Sequence, residues 1–305
     1  MFLRMNIKKQ TCLFFLFIAV KSIAQTDSLR IQTDSVQQPV EDLLSTDVMI
    51  DSVFQPVKNK DIVRIADAFA YTMTSPIRWE KDDWFTMGGA IGGTMLLSLA
   101  DKPVYDFMNN NHSKFFDDLG EFGYHNGKPY AAAVVAGGFY VTGWITNDEW
   151  TKETAAILTS AYLTSGVLQS SLKKIVGRAR PNEGLGNYEF RPFKNDPGFS
   201  SFPSGHSQIA FVTAMVLAER VDKTWLKAVF YTGAAVTIAS RMYTNAHWVT
   251  DVTFGSLLGY FCTKTVIKRF EENKYGKAFS GYADRNKIKW QIIPSYNGIG
   301  VIGTF

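Results

Sequence analysis

A histidine and an aspartate four residues apart are the side chains of this 305-residue sequence best suited to chemistry. On a helix His247 and Asp251 would share a face, so the carboxylate could hold one imidazole nitrogen while the other points at a substrate. Thr244 and Asn245 are good N-cap residues and predict a helix start here, where free backbone amides favour an anion. Arg241 could bind the same anion through its guanidinium group. Taken alone, the stretch fits a phosphate site and a purely structural His–Asp pair equally well.

A second segment carries four cations close together. Lys173 and Arg180 are seven residues apart, so they would face one point if their helix continued to Pro181. On that helix Lys174 and Arg178 would project at other angles. We therefore expect only the first pair to meet a substrate.

A third segment, P-S-G-H, precedes the uncharged run Ser207–Ala218. Ser204 is a suitable N-cap for a helix formed by that run, and Gly205 lets the backbone approach an anion closely. His206 is a second group that titrates near neutral pH. The sequence thus offers two histidines, several cations and a helix start for one anion.

In chain order the three segments read K-x6-R-P, P-S-G-H and S-R-x5-H-x3-D. With these motifs the sequence resembles the type 2 phosphatidic acid phosphatase and haloperoxidase superfamily, which includes lipid phosphate phosphatases and bacterial acid phosphatases. The resemblance extends over roughly residues 84–270 and leaves both ends of the chain unexplained.

The resemblance implies a role for each motif residue. His247 would be the nucleophile that forms a phosphohistidine, Asp251 would orient it, and His206 would be the general acid. The phosphate cradle would consist of Lys173, Arg180, Ser204, Gly205 and Arg241. Such a cradle can stabilise a transferring phosphoryl group with fixed cations and amides, so we expect no cofactor and no metal ion. A vanadate-dependent haloperoxidase-like enzyme and a non-catalytic phospholipid-binding bundle remain as alternatives.

Uncharged runs predict an all-α fold, a six-helix bundle with the active site at one end. The runs are Trp84–Ala100, Tyr130–Asn147, Ala155–Leu172, Ser207–Ala218, Ala228–Ser240 and Val252–Thr263. The motifs alternate between the end of one run and the start of the next, so an up-down bundle brings them together. A further helix is predicted from Asp61. The intervening segment Asp101–Pro129 is predicted to be a loop with two surface histidines, His112 and His125.

The two ends of the chain differ from the bundle in composition. Residues 1–24 have the charged start, apolar run and small-residue cleavage site of a signal peptide, with an uncleaved membrane anchor as the alternative. Residues 25–60 are predicted to be a disordered tether and residues 61–275 the helical phosphatase domain. Residues 276–305 predict a short β segment with a turn at Asn297-Gly298.

The formal net charge of +4 is too small to indicate a nucleic-acid partner. We expect a phosphorylated lipid or a small phosphate ester as substrate. The reaction would hydrolyse its phosphomonoester or diphosphate group. The longest runs approach the roughly 20 apolar residues of a membrane span, although a mean hydropathy of −0.06 is low for a multipass protein. We therefore expect a bacterial cell-envelope protein with transmembrane helices and a periplasmic site, and a soluble periplasmic bundle stays open. Its oligomeric state is not specified by these features.

Overall fold

The computed structural model describes residues 61–275, 289–295 and 298–304. The predicted signal peptide and tether lie outside the described residues. The described residues fall into two compact units, one ending at Val266 and the other beginning at Ile267. The division into a leader, a tether, a helical domain at 61–275 and a tail stays a prediction.

Nine α-helices make up most of the described part of the chain. They are α1 (Asp61–Met73), α2 (Lys81–Leu97), α3 (Asp101–Asn110), α4 (Lys114–Asn126), α5 (Pro129–Thr146), α6 (Glu149–Val176), α7 (Gly205–Glu219), α8 (Thr224–Tyr243) and α9 (Val249–Tyr275). All six predicted runs lie in helices, so the all-α prediction is confirmed. The bundle contains more helices than the six predicted.

Helix α6 is the centre of the bundle and packs against α1, α5 and α7. Its first half buries small side chains, among them Ala155, Ala156 and Ala161, which let neighbouring helices approach closely. Buried hydroxyls on the same helix, such as those of Ser160 and Thr164, donate to the carbonyl four residues earlier. These buried hydroxyl groups are therefore satisfied within the helix itself.

The segment Asp101–Pro129 is not a loop, so that prediction is wrong. It folds into α3 and α4, which are separated only by residues 111–113. The Ser113 hydroxyl caps α4 by accepting from the amide of Phe116 at 3.4 Å. Gly123 is buried against α8, since a Cβ atom there would lie 2.1 Å from the Ser240 hydroxyl oxygen.

His112 and His125 lie at the surface, as predicted. Their side chains are 46% and 55% exposed.

The C-terminal residues form an antiparallel hairpin, as the sequence predicted. Strand β1 (Lys289–Ser295) pairs with β2 (Gly298–Thr304), with Lys289 opposite Thr304 and Ser295 opposite Gly298. Of the two expected turn residues, Gly298 is the first residue of β2, and Asn297 lies outside the described residues.

No helix within residues 61–275 combines the length and the apolar character needed to cross a membrane. The expectation of transmembrane helices is therefore not met in the described part of the chain. Large apolar side chains are nevertheless exposed along α2, including Trp84, Phe85, Met95 and Leu96.

Candidate active site

The structure brings the motif residues to one end of the bundle. Lys173 lies in the last turn of α6, Ser204 is the N-cap of α7, Arg241 lies in the last turn of α8, and His247 precedes α9. The Ser204 amide donates to the Asp251 carbonyl at 2.9 Å, which joins the second motif to the third. The alternation of motifs and helices therefore predicted their convergence correctly.

Backbone hydrogen bonds also join the loops that carry these residues. The amide of Arg180 donates to the carbonyl of Gly198 at 2.9 Å, and that of Asn182 donates to the carbonyl of Asn245 at 3.2 Å. The amide of His247 itself donates to the carbonyl of Arg241 at 3.2 Å. The frame of the site is thus built largely from main-chain contacts.

His247 is buried, with 3% of its surface exposed, but it is not on a helix. Helix α8 continues to Tyr243 and α9 begins only at Val249, so the predicted helix start at Thr244 or Asn245 is wrong. The His247 Nδ1 atom lies 3.8 Å from Asp251 Oδ2, which is an ion-pair distance and too long for a hydrogen bond. Among the described residues this nitrogen has no hydrogen-bond partner.

Asp251 is fully buried and its carboxylate accepts three short hydrogen bonds. Oδ2 accepts from the Ser201 hydroxyl at 2.5 Å and from the Trp248 amide at 2.8 Å, while Oδ1 accepts from Arg178 at 2.7 Å. Burial alone would raise the pKa of this carboxyl, but His247, Arg178 and Ser201 together hold the pKa below its usual value. The carboxylate is therefore charged and fixed beside the imidazole.

Helix α6 ends at Val176, so it does not carry Arg180 on the same face as Lys173. Gly177 ends the helix in the left-handed conformation (φ 58°), and a Cβ atom there would lie 2.1 Å from the Arg191 carbonyl oxygen. The argument from a shared helical face is therefore wrong, although both cations still reach the site.

The two cations converge on the loop that precedes the second motif. The Arg180 guanidinium donates to the Pro197 carbonyl at 3.1 Å, the Ser200 hydroxyl at 3.2 Å and the Ala246 carbonyl at 3.4 Å. The Lys173 ammonium donates to the Ser200 carbonyl. Burial, and then the charge of Arg180, lowers the pKa of Lys173 to about 7.

Arg178 was expected to project at a different angle from Lys173 and Arg180, and the structure shows that it points inward. Only 3% of its surface is exposed, and its guanidinium pairs with Asp101 at 2.6 Å and with Asp251 at 2.7 Å. Lys174 is exposed, as expected. Sequence reasoning missed Arg178 because it assumed a continuous helix, and it missed Asp101 because that residue was assigned to a loop.

Ser204 is the N-cap of α7, as predicted from the sequence. Its buried hydroxyl oxygen accepts from the Ser207 amide at 3.4 Å and from the Ser207 hydroxyl at 3.0 Å. Gly205 opens the helix against Gln169, whose side-chain nitrogen would lie 3.0 Å from an added Cβ atom. The first amides of α7 are therefore placed beside the histidines, and the phosphate-binding roles of these two residues stay a prediction.

His206 packs between α4 and the cations of the site. Its ring stacks on Tyr124 with centroids 5.8 Å apart, and its Nε2 atom is buried with no partner among the described residues. Burial, followed by the charges of Arg241 and His247, lowers the pKa of His206 to about 3. Tyr124 was missed because its helix was predicted to be a loop, although Gly120 and Gly123, which are three residues apart, could have indicated close helix packing.

Arg241 is held near His206 by contacts on two sides. It donates to the Gly120 carbonyl at 3.0 Å and to the Ser240 hydroxyl at 3.1 Å, and it lies 5.4 Å from the centre of the Tyr124 ring. Burial lowers the pKa of Arg241 to about 10, so the side chain remains a cation at neutral pH.

The site therefore concentrates positive charge without an equal number of anions. Lys173, Arg180 and Arg241 surround the buried His247 and the half-buried His206. In the described part of the chain, His206 Nε2 and the His247 Nδ1 atom that faces Asp251 have no hydrogen-bond partner. This arrangement suits a tetrahedral anion whose charge is spread over several oxygens. The described residues contain no group of three or more His, Cys, Asp or Glu that could hold a metal ion. Independence of metal stays a prediction.

Comparison with known proteins gives several sequence relatives. The Lipid A 1-phosphatase of Rhizobium etli is 32% identical over 118 residues, which cover 37% of this chain and 49% of the relative. The Lipid A 1-phosphatase of Rhizobium johnstonii is 33% identical over 109 residues, which cover 34% and 43%. The chain thus spans about half or less of the length of these relatives.

Two solved structures and one family model also match. The crystal structure of Aquifex aeolicus LpxE matches with a TM-score of 0.45 and 25% identity over 55% of this chain and 94% of that one. A transmembrane PAP2 type phosphatidylglycerolphosphate phosphatase from Bacillus subtilis matches with a TM-score of 0.41 and 17% identity over 65% and 96%. The model of the PAP2 superfamily matches residues 154–275, which contain all three motifs. This stretch of the chain therefore matches the superfamily that the motifs predicted.

Proposed function

We propose that this protein hydrolyses a phosphomonoester or diphosphate carried by a membrane lipid, without a metal ion, through a phosphohistidine on His247. The observation that carries the proposal is the placement of two histidines beside three cations. His247 is buried with its Nδ1 atom facing Asp251, and the half-buried His206 has an Nε2 atom with no partner among the described residues. The relatives named Lipid A 1-phosphatase support a lipid phosphate as the substrate class. The 1-phosphate of lipid A is one candidate within that class.

The cradle would bind the phosphate through charge and backbone amides together. Lys173, Arg180 and Arg241 neutralise the phosphoryl oxygens, while Ser204 and the first amide of α7 at Gly205 donate to them. Fixed donors of this kind act where charge develops, and each can contribute about 3 kcal/mol to transition-state stabilisation. This supplies the charge that a metal ion would otherwise provide.

In the first step His247 attacks the phosphorus. Its Nδ1 atom faces Asp251, so Nε2 is the nitrogen that forms the N–P bond while the P–O bond to the leaving group breaks. His206 donates a proton to the departing oxygen. The positive charge that develops on His247 is stabilised by the carboxylate of Asp251 at 3.8 Å.

In the second step water attacks the phosphohistidine. His206, now neutral, accepts a proton from the water as the new P–O bond forms and the P–N bond breaks. Inorganic phosphate leaves, His247 is restored and His206 is protonated again. One histidine is therefore the nucleophile, and the other is first an acid and then a base.

The remaining expectations concern the location of the protein. We propose export by the segment 1–24, association with a bacterial envelope membrane, and a site on the periplasmic side. The exposed apolar side chains of α2, such as Trp84 and Phe85, support contact with a membrane surface.

The test is phosphate release by purified protein from lipid phosphates and from small phosphomonoesters, in the presence of a chelator. We expect turnover of the lipid phosphates, its loss in His247→Ala, and its retention in His112→Ala, a matched change at a surface histidine. Labelled substrate should leave acid-labile phosphate on His247. Label on serine or aspartate, or activity that requires added metal, would contradict the proposal.

A further inference from the structure

Asp101 is a buried carboxylate that lies outside the three motifs. It begins α3, has 1% of its surface exposed, and accepts from the amide of Thr250 at 3.0 Å. It also accepts from Arg178 at 2.6 Å, and the other terminal nitrogen of Arg178 donates to Asp251 Oδ1 at 2.7 Å. A continuous series of charged contacts therefore leads from α3 to the carboxylate beside His247.

The guanidinium of Arg178 is fixed on every side by these contacts. Besides the two carboxylates, it donates to the Thr250 hydroxyl at 2.5 Å and to the Asn187 carbonyl at 3.0 Å and 2.6 Å. A buried cation with all its nitrogens engaged cannot rotate without losing several charge-assisted bonds. The position of Asp251 Oδ1 is thus determined, and Oδ2 is left to Ser201, the Trp248 amide and the imidazole.

The charges of this series explain why a second carboxylate is needed. Arg178 alone would cancel most of the attraction that Asp251 exerts on His247. With Asp101 on its other side, the three buried groups carry a net charge of about −1 by simple count at neutral pH. That charge faces an imidazole that becomes positive when it is phosphorylated or protonated.

We propose that Asp101 is a positioning residue for the nucleophile, acting through Arg178 on the Asp251 carboxylate that orients His247 and sets its basicity. The proposal rests on the proposed function of His247 as the nucleophile. It assigns a role in the reaction to α3, which none of the three motifs includes.

The first test is Asp101→Asn, which removes the charge but keeps the shape of the side chain and one acceptor oxygen. We expect kcat to fall about 10- to 100-fold with little change in KM, because the substrate does not contact Asp101. We also expect the acid limb of the kcat/KM profile to move to lower pH, since the imidazolium of His247 loses a nearby negative charge. The other titratable or charged groups facing His247 are unchanged in this variant, namely Asp251, Lys173, Arg180 and His206.

The matched control is Glu153→Gln, which removes a buried carboxylate elsewhere on the bundle. Glu153 lies near the start of α6 and pairs with Arg64 at 2.6 Å and Arg220 at 3.1 Å. We expect this variant to lose thermal stability but to keep the wild-type kcat and the wild-type pH of the acid limb of the kcat/KM profile. If Asp101→Asn behaves in the same way, Asp101 is structural only and the proposal is overturned.

A second variant tests the same charge balance in the opposite direction. Arg178→Gln leaves the two carboxylates without a cation, so the acid limb should move to higher pH. If Asp101→Asn does not fold, Arg178→Gln decides alone. An acid limb of its kcat/KM profile at the same pH as in the wild type then overturns the proposal.

The pKa of His247, followed by NMR in the wild type and in Asp101→Asn, gives a readout that needs no turnover. A lower pKa in the variant supports the positioning role and an unchanged pKa overturns it, even if the wild type releases no phosphate and the proposed function itself fails.

Discussion

Binding of a phosphate anion should convert His206 from a neutral group into a general acid. Burial, followed by the charges of Arg241 and His247, lowers the pKa of His206 to about 3. A histidine with this pKa is neutral at pH 7 and lacks the imidazolium proton that a general acid donates. The perturbation we propose is therefore the addition of orthophosphate, which occupies the cradle without being consumed.

The expected change follows from Coulomb's law. One negative charge about 5 Å from the ring, at an effective dielectric constant of about 20, stabilises the imidazolium by about 3 kcal/mol. This raises the pKa of His206 by roughly 2 for a monoanion and by up to roughly 4 to 5 for a dianion. Starting from about 3, the pKa would reach about 5 with a monoanion and about 7 to 8 with a dianion, so the general acid becomes protonated near neutrality only when a phosphate dianion is present.

The assay is an NMR titration of histidine-labelled protein with and without saturating orthophosphate. The chain has four histidines, and the signals of the surface pair His112 and His125 should not respond to the anion. Occupancy is checked independently by calorimetry. If orthophosphate binds and the pKa of His206 does not rise, the ring does not face the bound anion and its assignment as the acid is wrong.

Two further substitutions test the geometry of the site. Lys173→Ala should lower kcat by about 10²-fold, corresponding to about 3 kcal/mol. Lys174→Ala, at the exposed neighbouring residue, should change kcat little. Equal losses of kcat in the two variants would refute the placement of the two lysines. Gly127→Ala should lower kcat by at least about 10-fold, because its Cβ would lie 2.6 Å from the Cβ of His206, while Gly137→Ala has open space and should be neutral. A wild-type rate in Gly127→Ala would show that the ring need not keep its position.

The convergence of the three motifs was predictable because it depends only on the order of helices and motifs along the chain. The manner in which Lys173 and Arg180 meet was not predicted, because the argument assumed a helix through Gly177. A glycine after two lysines is typical of a helix C-terminus, so this signal was present in the sequence. The pair meets through the loop at Ser200 instead.

The surroundings of the motifs could not be predicted in the same way. Asp101, Arg178 and Tyr124 reach the site from segments that are distant in sequence or were assigned to other conformations, and their partners are fixed only by packing. The polar stretch around Asn109 and Asn111 resembles a loop, although each flanking segment is a short helix. Tertiary contacts, rather than local preference, decide these elements.

The main-chain bonds that join the loops of the site make an inactive variant useful as a reagent. The contacts from Ser204 to Asp251 and from Asn182 to Asn245 use only backbone atoms, so replacing the His247 side chain leaves them in place. The cations and amides of the cradle should then still bind a phosphorylated molecule that can no longer be cleaved. Such a variant, purified from its native host and extracted for mass spectrometry, should carry the physiological substrate with it.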